Sequence, residues 1–296
     1  MDDVKIAVIG LPEKWSSEVL ADAVFDKTGF RLIVDISQVI LDLETQSLHY
    51  KEYNLCEFDA LIVKKISATY SPNTLDRLEL LRVAENAGVR VFSGAENILR
   101  LVDRLSCTVT LGNADIPMPP TRVTENMEKA IATVKEFGEA VFKPLYSTKA
   151  RGMCVIKYKD GLKKVKDEII AFQANNPMMY IQKKMELGGQ DLGLVFLKGR
   201  YLGAYARVSK NNAWNTTINS GGSYASANPS DDIIALATKA QALFDMDFTT
   251  VDVAETESCA IVFEVSAFGG FRGAKEGIGI NVAELYVEHV LQALKN

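Results

Sequence analysis

Histidine is nearly absent from this 296-residue chain, cysteine is sparse, and no uninterrupted apolar run is long enough to cross a bilayer. With only His49 and His289 available, a histidine-rich zinc centre and a conventional serine triad are both disfavoured. The four cysteines, Cys56, Cys107, Cys154 and Cys259, lie far apart and include no CxxC pair, which reads as free buried thiols in a reducing compartment. The opening MDDVKIAVIG lacks the basic region and the long apolar core of a secretory leader, so a cytoplasmic protein is expected. A net charge of -5 and a pI near 5.3 speak against a nucleic-acid-binding surface. No GxGxxG turn follows the first strand-like run, so dinucleotide binding has no support.

What is present is 48% apolar residues, ample for a sizeable core. Over the first hundred residues they alternate between strand-like runs (Val4–Ile9, Phe30–Ile36, Ala60–Val63, Val89–Phe92) and helical patterns, punctuated by Gly29 and Gly88. That alternation predicts a small, mostly parallel α/β sheet. A helical stripe of Ile98, Leu101, Val102 and Leu105 runs on towards Gly112, and the proline-rich segment 116–120 is extended. Further on, helices are predicted around 127–137 and 162–172, strands at 140–143, 153–158 and 179–183, a hairpin about Lys198-Gly199-Arg200, and a terminal helix from Asn281.

Three segments carry chemistry. In TTVDVAETESCAIVFEVSAFGGFRG (249–273), two β-rich runs flank a polar turn, and a hairpin centred near Ser258 sets Asp252 opposite Glu264. Glu264 and Ser266 share one face of their strand. Two facing carboxylates repel unless a cation or proton joins them, and magnesium takes hard oxygen ligands while keeping waters and phosphate oxygens. The same spacing also fits a solvated hairpin face. In FKPLYSTKARGM (142–153), Lys143 at a strand end precedes a loop with Ser147, Thr148, Lys149, Arg151 and Gly152 that suits polyphosphate. It is not a Walker A loop, and a basic hairpin turn would look similar. WNTTINSGG (214–222) reads either as a substrate loop or as a surface turn.

Taken in order, VDRLS, IPMPPT, VFKP, YIQKK, SGG, VDVAE, FEVSAFGG and GINVA resemble the ATP-grasp superfamily, in its branch of ribosomal-protein and cofactor glutamate ligases. LIVKKIS, STKARGM, MYIQKK and EVSAFGGFRG look closest to the GAK-system ATP-grasp proteins. The resemblance implies a mixed α/β and α+β chain. An N-terminal Rossmann-like pre-ATP-grasp domain (1–97) would precede a central (98–181) and a C-terminal (182–296) ATP-grasp subdomain. It implies Mg-ATP, with Mn2+ as the alternative ion, bound between the two subdomains. By position, Lys143 and Arg104 match the phosphate-contacting basic residues, and 147–153 matches the phosphate-covering loop. The adenine hinge is matched by Gln182, Lys183 and Lys184, and the metal ligands by Asp252, Glu264 and Ser266. Arg207 matches the basic residue near the transferred phosphate.

Three positions depart from that pattern. Ser266 stands for asparagine, Gly193 for the arginine of an Asp-Ile-Arg run, and Asn215 for an arginine before the double glycine. They point to an acceptor other than glutamate. The implied activity is ligation of a small-molecule or peptide carboxylate to an amine or thiol through an acyl phosphate, with Arg272 as a carboxylate clamp. A phosphotransferase or a non-catalytic nucleotide sensor on the same fold are the alternatives. The family also implies a homo-oligomer, while charge and hydropathy lead to no expectation of nucleic acid or membrane as partner.

Overall fold

A computed structural model describes residues 4–148, 150–209 and 221–295. In the first unit, β1 (Ile6–Ile9), α1 (Trp15–Thr28) and β2 (Ile33–Val34) are followed by a small antiparallel sheet of β3 (Ile40–Asp42), β4 (Ser47–Tyr50) and β5 (Tyr53–Asn54). Then come β6 (Ala60–Val63), α2 (Asn73–Asn86) and β7 (Arg90–Phe92), giving a parallel sheet in the order β2-β1-β6-β7. Every residue of β1 and β6 is buried, which is why both read as continuous apolar runs. Gly29, at φ 74°, ends α1 in the left-handed conformation that glycine adopts without penalty.

The stripe from Ile98 towards Gly112 forms two helices, α3 (Ala95–Val102) and α4 (Arg104–Asn113). Asp103 breaks it: its backbone is extended, and its carboxylate accepts the Leu105 N–H at 3.0 Å, capping the second helix. Arg104 is thereby placed in the first turn of α4.

The central unit runs β8 (Thr121–Thr124), α5 (Met127–Phe137), β9 (Glu139–Lys143), β10 (Cys154–Lys157), α6 (Leu162–Gln173) and β11 (Met179–Lys183). Its antiparallel sheet has the order β10-β9-β11-β8. Ala130, Val134, Phe142, Val165, Ile169 and Ile181 form a core of its own beneath α5 and α6. The last unit contains β12 (Gln190–Leu197), β13 (Arg200–Val208), β14 (Ser223–Ala227), α7 (Asp231–Ala242), β15 (Phe248–Glu255), β16 (Ala260–Val265), α8 (Phe271–Ile278) and α9 (Val282–Leu294). Its strands form an antiparallel sheet in the order β14-β13-β12-β15-β16.

Both faces of that sheet are fused to the first unit. Leu194, Phe196, Val251 and Val265 share a core with Leu61, Val63 and Ile98, while Val195 and Phe248 on the other face join Leu20, Val24, Tyr286 and Val290. Each such side chain contributes roughly 1.5–3 kcal/mol when fully buried. The central unit, with its separate core, is the independent lobe. α3 crosses the boundary expected at 97/98, and β11 carries the central sheet through Lys183, past the one expected at 181/182. We propose breaks at the proline-rich segment 116–120, beyond the α4 residues Cys107 and Leu111 that pack in the first unit's core, and after Lys183 instead. Among the described residues, no helix is long and apolar enough to cross a membrane.

Candidate active site

The central lobe supplies a cation. β9 lies beside β11, with Lys143 opposite Tyr180, and the Lys143 ammonium donates to Gln182 Oε1 at 2.5 Å. Gln182 is itself fixed, its Nε2 donating to Thr121 Oγ1 at 3.0 Å and to the Tyr180 hydroxyl at 3.3 Å. The ammonium also sits 5.3 Å from the centre of the Phe263 ring. Among the described residues it has no carboxylate partner. Burial pushes it down to about 7, and the Arg104 charge adds to the fall while Glu264 opposes it.

The C-terminal sheet supplies acids. Asp252 and Glu264 are register partners on β15 and β16, as the hairpin reading expects, but the route differs. Regular pairing carried up from Glu255 and Ala260 would set Phe263 opposite Asp252. A β-bulge between Asp252 and Val253 takes up one extra residue, so Glu264 takes that place. A bulge re-aims side chains, and here Phe263 meets Lys143 while Glu264 meets Arg104 at 3.4 Å.

Asp252 Oδ2 accepts from Arg207 Nη2 at 2.9 Å, whereas its buried Oδ1 has no hydrogen-bond partner. Burial pushes the Asp252 carboxyl up to about 7, with Arg207 pulling it down and Asp191 and Glu264 pushing it further up. Arg207 also holds the Asp191 carboxylate through both its Nε and Nη2. Although burial works against its charge, Asp252 and Asp191 together lift its pKa well above the ordinary arginine value.

Arg104 links the two sides. Besides Glu264, it donates to Pro144 O at 3.1 Å and to Ser147 Oγ at 3.3 Å, which ties the loop after β9 to the acidic strand. In that loop Arg151 is exposed and donates to Ala68 O at 3.2 Å. Gly152 has φ 69°, and a Cβ there would come within 3.1 Å of Pro144. Thr148 is half-buried in the same turn, its carbonyl accepting the Arg151 N–H. Ser266 follows the end of β16, held by its N–H on Thr250 O at 2.8 Å.

The expected hinge is partly committed: the Lys183 and Lys184 amides donate to Pro120 O and Glu139 O, and the Lys184 ammonium pairs with Glu186 at 2.7 Å. Lys183 itself is exposed. Arg272 stands apart, over the Trp15 ring at 5.2 Å and 3.6 Å from Glu276. Lys149 and Asn215 lie outside the described residues, as does most of the 214–222 segment.

Two residues of this site escaped the sequence reading. Asp191 is the carboxylate that anchors Arg207; counting symmetrically from the Lys198-Gly199 turn brings it within one position of that partner. Tyr205 is buried beside Gly193, where a Cβ would come within 2.4 Å of its ring, and Cβ atoms at Gly273 and Gly277 would also collide with it. The Tyr205 ring fills the space that a side chain at 193 would occupy, so an arginine there does not fit this packing.

Asp252 and Glu264 fit a divalent cation: one buried carboxylate oxygen is unpartnered, and a second carboxylate stands opposite. Among the described residues no group of three acidic, His or Cys side chains is assembled to hold a metal. Two carboxylates suit magnesium, which takes its remaining ligands from phosphate and water.

A central antiparallel lobe facing a larger antiparallel sheet, with a buried lysine across from paired acids, defines an ATP-grasp protein. The chain belongs to the RimK-like ATP-grasp family, whose model matches residues 102–290. It is 25% identical to a tetrahydromethanopterin:alpha-L-glutamate ligase of Methanosarcina acetivorans, over 99% of this chain and all of the relative. In fold it resembles the ATP-grasp ligase PsnB, solved with a precursor variant, Mg and ADP (TM-score 0.75, 15% identity, 99% of each chain). It is also similar to a RimK domain ATP-grasp protein from Sphaerobacter thermophilus (TM-score 0.74, 20% identity, 96% of this chain and 98% of that one). The expected class, an ATP-dependent ligase of the ATP-grasp kind, stands.

Proposed function

We propose that this chain joins a small-molecule or peptide carboxylate to an amine, or a thiol, by way of an acyl phosphate. The observation that carries this reading is half-buried Asp252, whose buried Oδ1 has no hydrogen-bond partner among the described residues, opposite Glu264 and under Arg207. Mg-ATP bound between the lobes would supply the phosphoryl group and, through the ion, a Lewis acid on its oxygens; Mn2+ is the alternative ion.

The substrate carboxylate attacks the γ-phosphorus, ADP leaves, and the amine then attacks the acyl carbon, losing a proton as phosphate departs. Lys143 places fixed positive charge at the phosphates, where a water-excluded site makes it effective. Arg104 and the 147–153 loop close over them, and the hinge amides from Met185 onward serve the purine edge. When Asp252 turns to the ion, Arg207 keeps Asp191 as its counter-charge. Its remaining N–H groups are then free for the transferred phosphate. No protein nucleophile is required. Arg272 is a rim group on this reading.

L-Glutamate belongs in any test because the relatives are named glutamate ligases. Gly193 and Ser266 nonetheless favour a different acceptor. ADP release should be followed over a panel of carboxylates with amines and thiols, L-glutamate included. A carboxylate–amine pair that stimulates Mg-dependent ADP release and yields an amide supports the proposal. ADP release with phosphate transferred to a hydroxyl, and no amide, overturns it.

A further inference from the structure

At the carboxyl end of β6, Lys64 leaves the parallel sheet and is buried at 4% exposure. Its ammonium donates to the carbonyls of Phe268 at 3.2 Å and Gly269 at 2.9 Å, and lies 4.1 Å from the centre of the Phe271 ring. Three successive parts of one short segment therefore converge on a single nitrogen from the first unit. That segment directly follows the strand carrying Glu264 and leads into α8.

Among the described residues no carboxylate pairs with Lys64; burial pushes its ammonium down to about 7, and neighbouring Lys65 adds to the fall. An apolar side chain of the same length would join the two units without the penalty of an uncompensated buried charge. What the lysine adds is its two donated bonds, to carbonyls for which the described residues offer no other donor. The rest of its loop leans the same way. The Tyr70 ring packs edge-on against Phe268, and Ala68 O receives Arg151 from the phosphate loop.

We propose that Lys64 is a positioning residue, fixing residues 268–271 and the start of α8 against the first unit. On this view the first unit, and not the nucleotide lobe, sets the wall of the site beyond the metal carboxylates. That this wall receives the acceptor rests on the ligase reading; the positioning itself does not.

The test is amide hydrogen exchange on the full chain, with Lys64→Met keeping the length but not the donors, and Lys64→Arg keeping the donors and the ring contact. Mg-AMPPNP affinity is measured alongside by calorimetry. In Lys64→Met, residues 267–273 should exchange roughly tenfold faster or more while amides of β9 and β11 are unchanged. The Mg-AMPPNP dissociation constant should stay within about threefold, since among the described residues the hydrogen bonds and ring contacts of the lysine all lie outside the nucleotide lobe, and Lys64→Arg should restore protection. Unchanged exchange at 267–273 overturns the proposal. So does acceleration throughout the chain with parallel loss of nucleotide affinity, which would make Lys64 a general packing residue. If Mg-AMPPNP fails to bind the unaltered protein, the ligase reading fails, while the exchange comparison still decides the role of Lys64.

Discussion

At the end of β9 a buried ammonium has, among the described residues, an amide oxygen and an aromatic ring beside it and no ion-pair partner, whereas on β15 a half-buried carboxylate is gripped by a guanidinium that a second carboxylate holds from behind. Both are charges out of water, but their states differ. Among the described residues Lys143 has no ion-pair partner, with only the more distant Glu264 charge acting on it, and on the proposed reading the phosphates would supply one. Asp252 already has a counter-charge in Arg207, and the ion has to share or displace it. On the proposed reading, the two lobes need the ligand for opposite reasons: the central lobe needs negative charge brought in, and the C-terminal sheet needs a positive partner exchanged.

The strongest way to break this contrast is to remove the acids. Asp252→Ala or Glu264→Ala should lower Mg-dependent ADP release by about 10³-fold, the order expected when a main source of transition-state charge stabilisation is lost. Unchanged Mg-dependent turnover in either variant would refute the site. Next comes the anchor. Asp191→Asn leaves Arg207 with Asp252 as its sole carboxylate among the described residues, so Arg207 and the ion compete; we expect ~10²-fold slower turnover, and Mg2+ titration of the AMPPNP complex should show weaker metal binding.

A third test addresses the lysine. Because Lys143 sits near 7 without ligand, it is mostly neutral at pH 8, and phosphates raise its pKa again. Binding of Mg-AMPPNP at pH 8 should therefore take up about one proton, read from the buffer dependence of the calorimetric enthalpy. Lys143→Arg, always charged, should abolish the uptake. The smallest effect is expected for Ser266→Asn, since an amide carbonyl is a better neutral ligand than a hydroxyl: equal or about two- to threefold tighter metal binding in the same titration. Weaker binding would exclude Ser266 from the metal shell.

Much of this was legible in the sequence because it is local. Gly29, the buried runs of β1 and β6, and the Lys198-Gly199 hairpin each follow from neighbours a few residues apart. Lys143 at a strand end and the Asp252–Glu264 pair also came through, although the latter owes its register to a bulge that no spacing announced. What was missed depends on distant partners. Asp103 breaks a helical stripe by capping, and α8 lies in a glycine-rich stretch to which the sequence assigned no element. The short strands of the 40–54 sheet have no periodicity to betray them. Asp191 and Lys64 look like ordinary surface charges until the fold buries them.

The glycines around Tyr205 carry one more consequence. Positions 193 and 205 draw on the same volume from adjacent strands, and α8 can approach β13 only because residues 273 and 277 contribute none. The sheet beside Arg207, which the proposed function gives to the acceptor, thus behaves as a volume exchange. A guanidinium can be installed at 193 only together with a small residue at 205, and shrinking Tyr205 alone leaves a ring-sized hollow beside Arg207. Redesign of acceptor choice has to move in paired steps, and any relative bearing an arginine at this position is expected to carry a smaller side chain across from it.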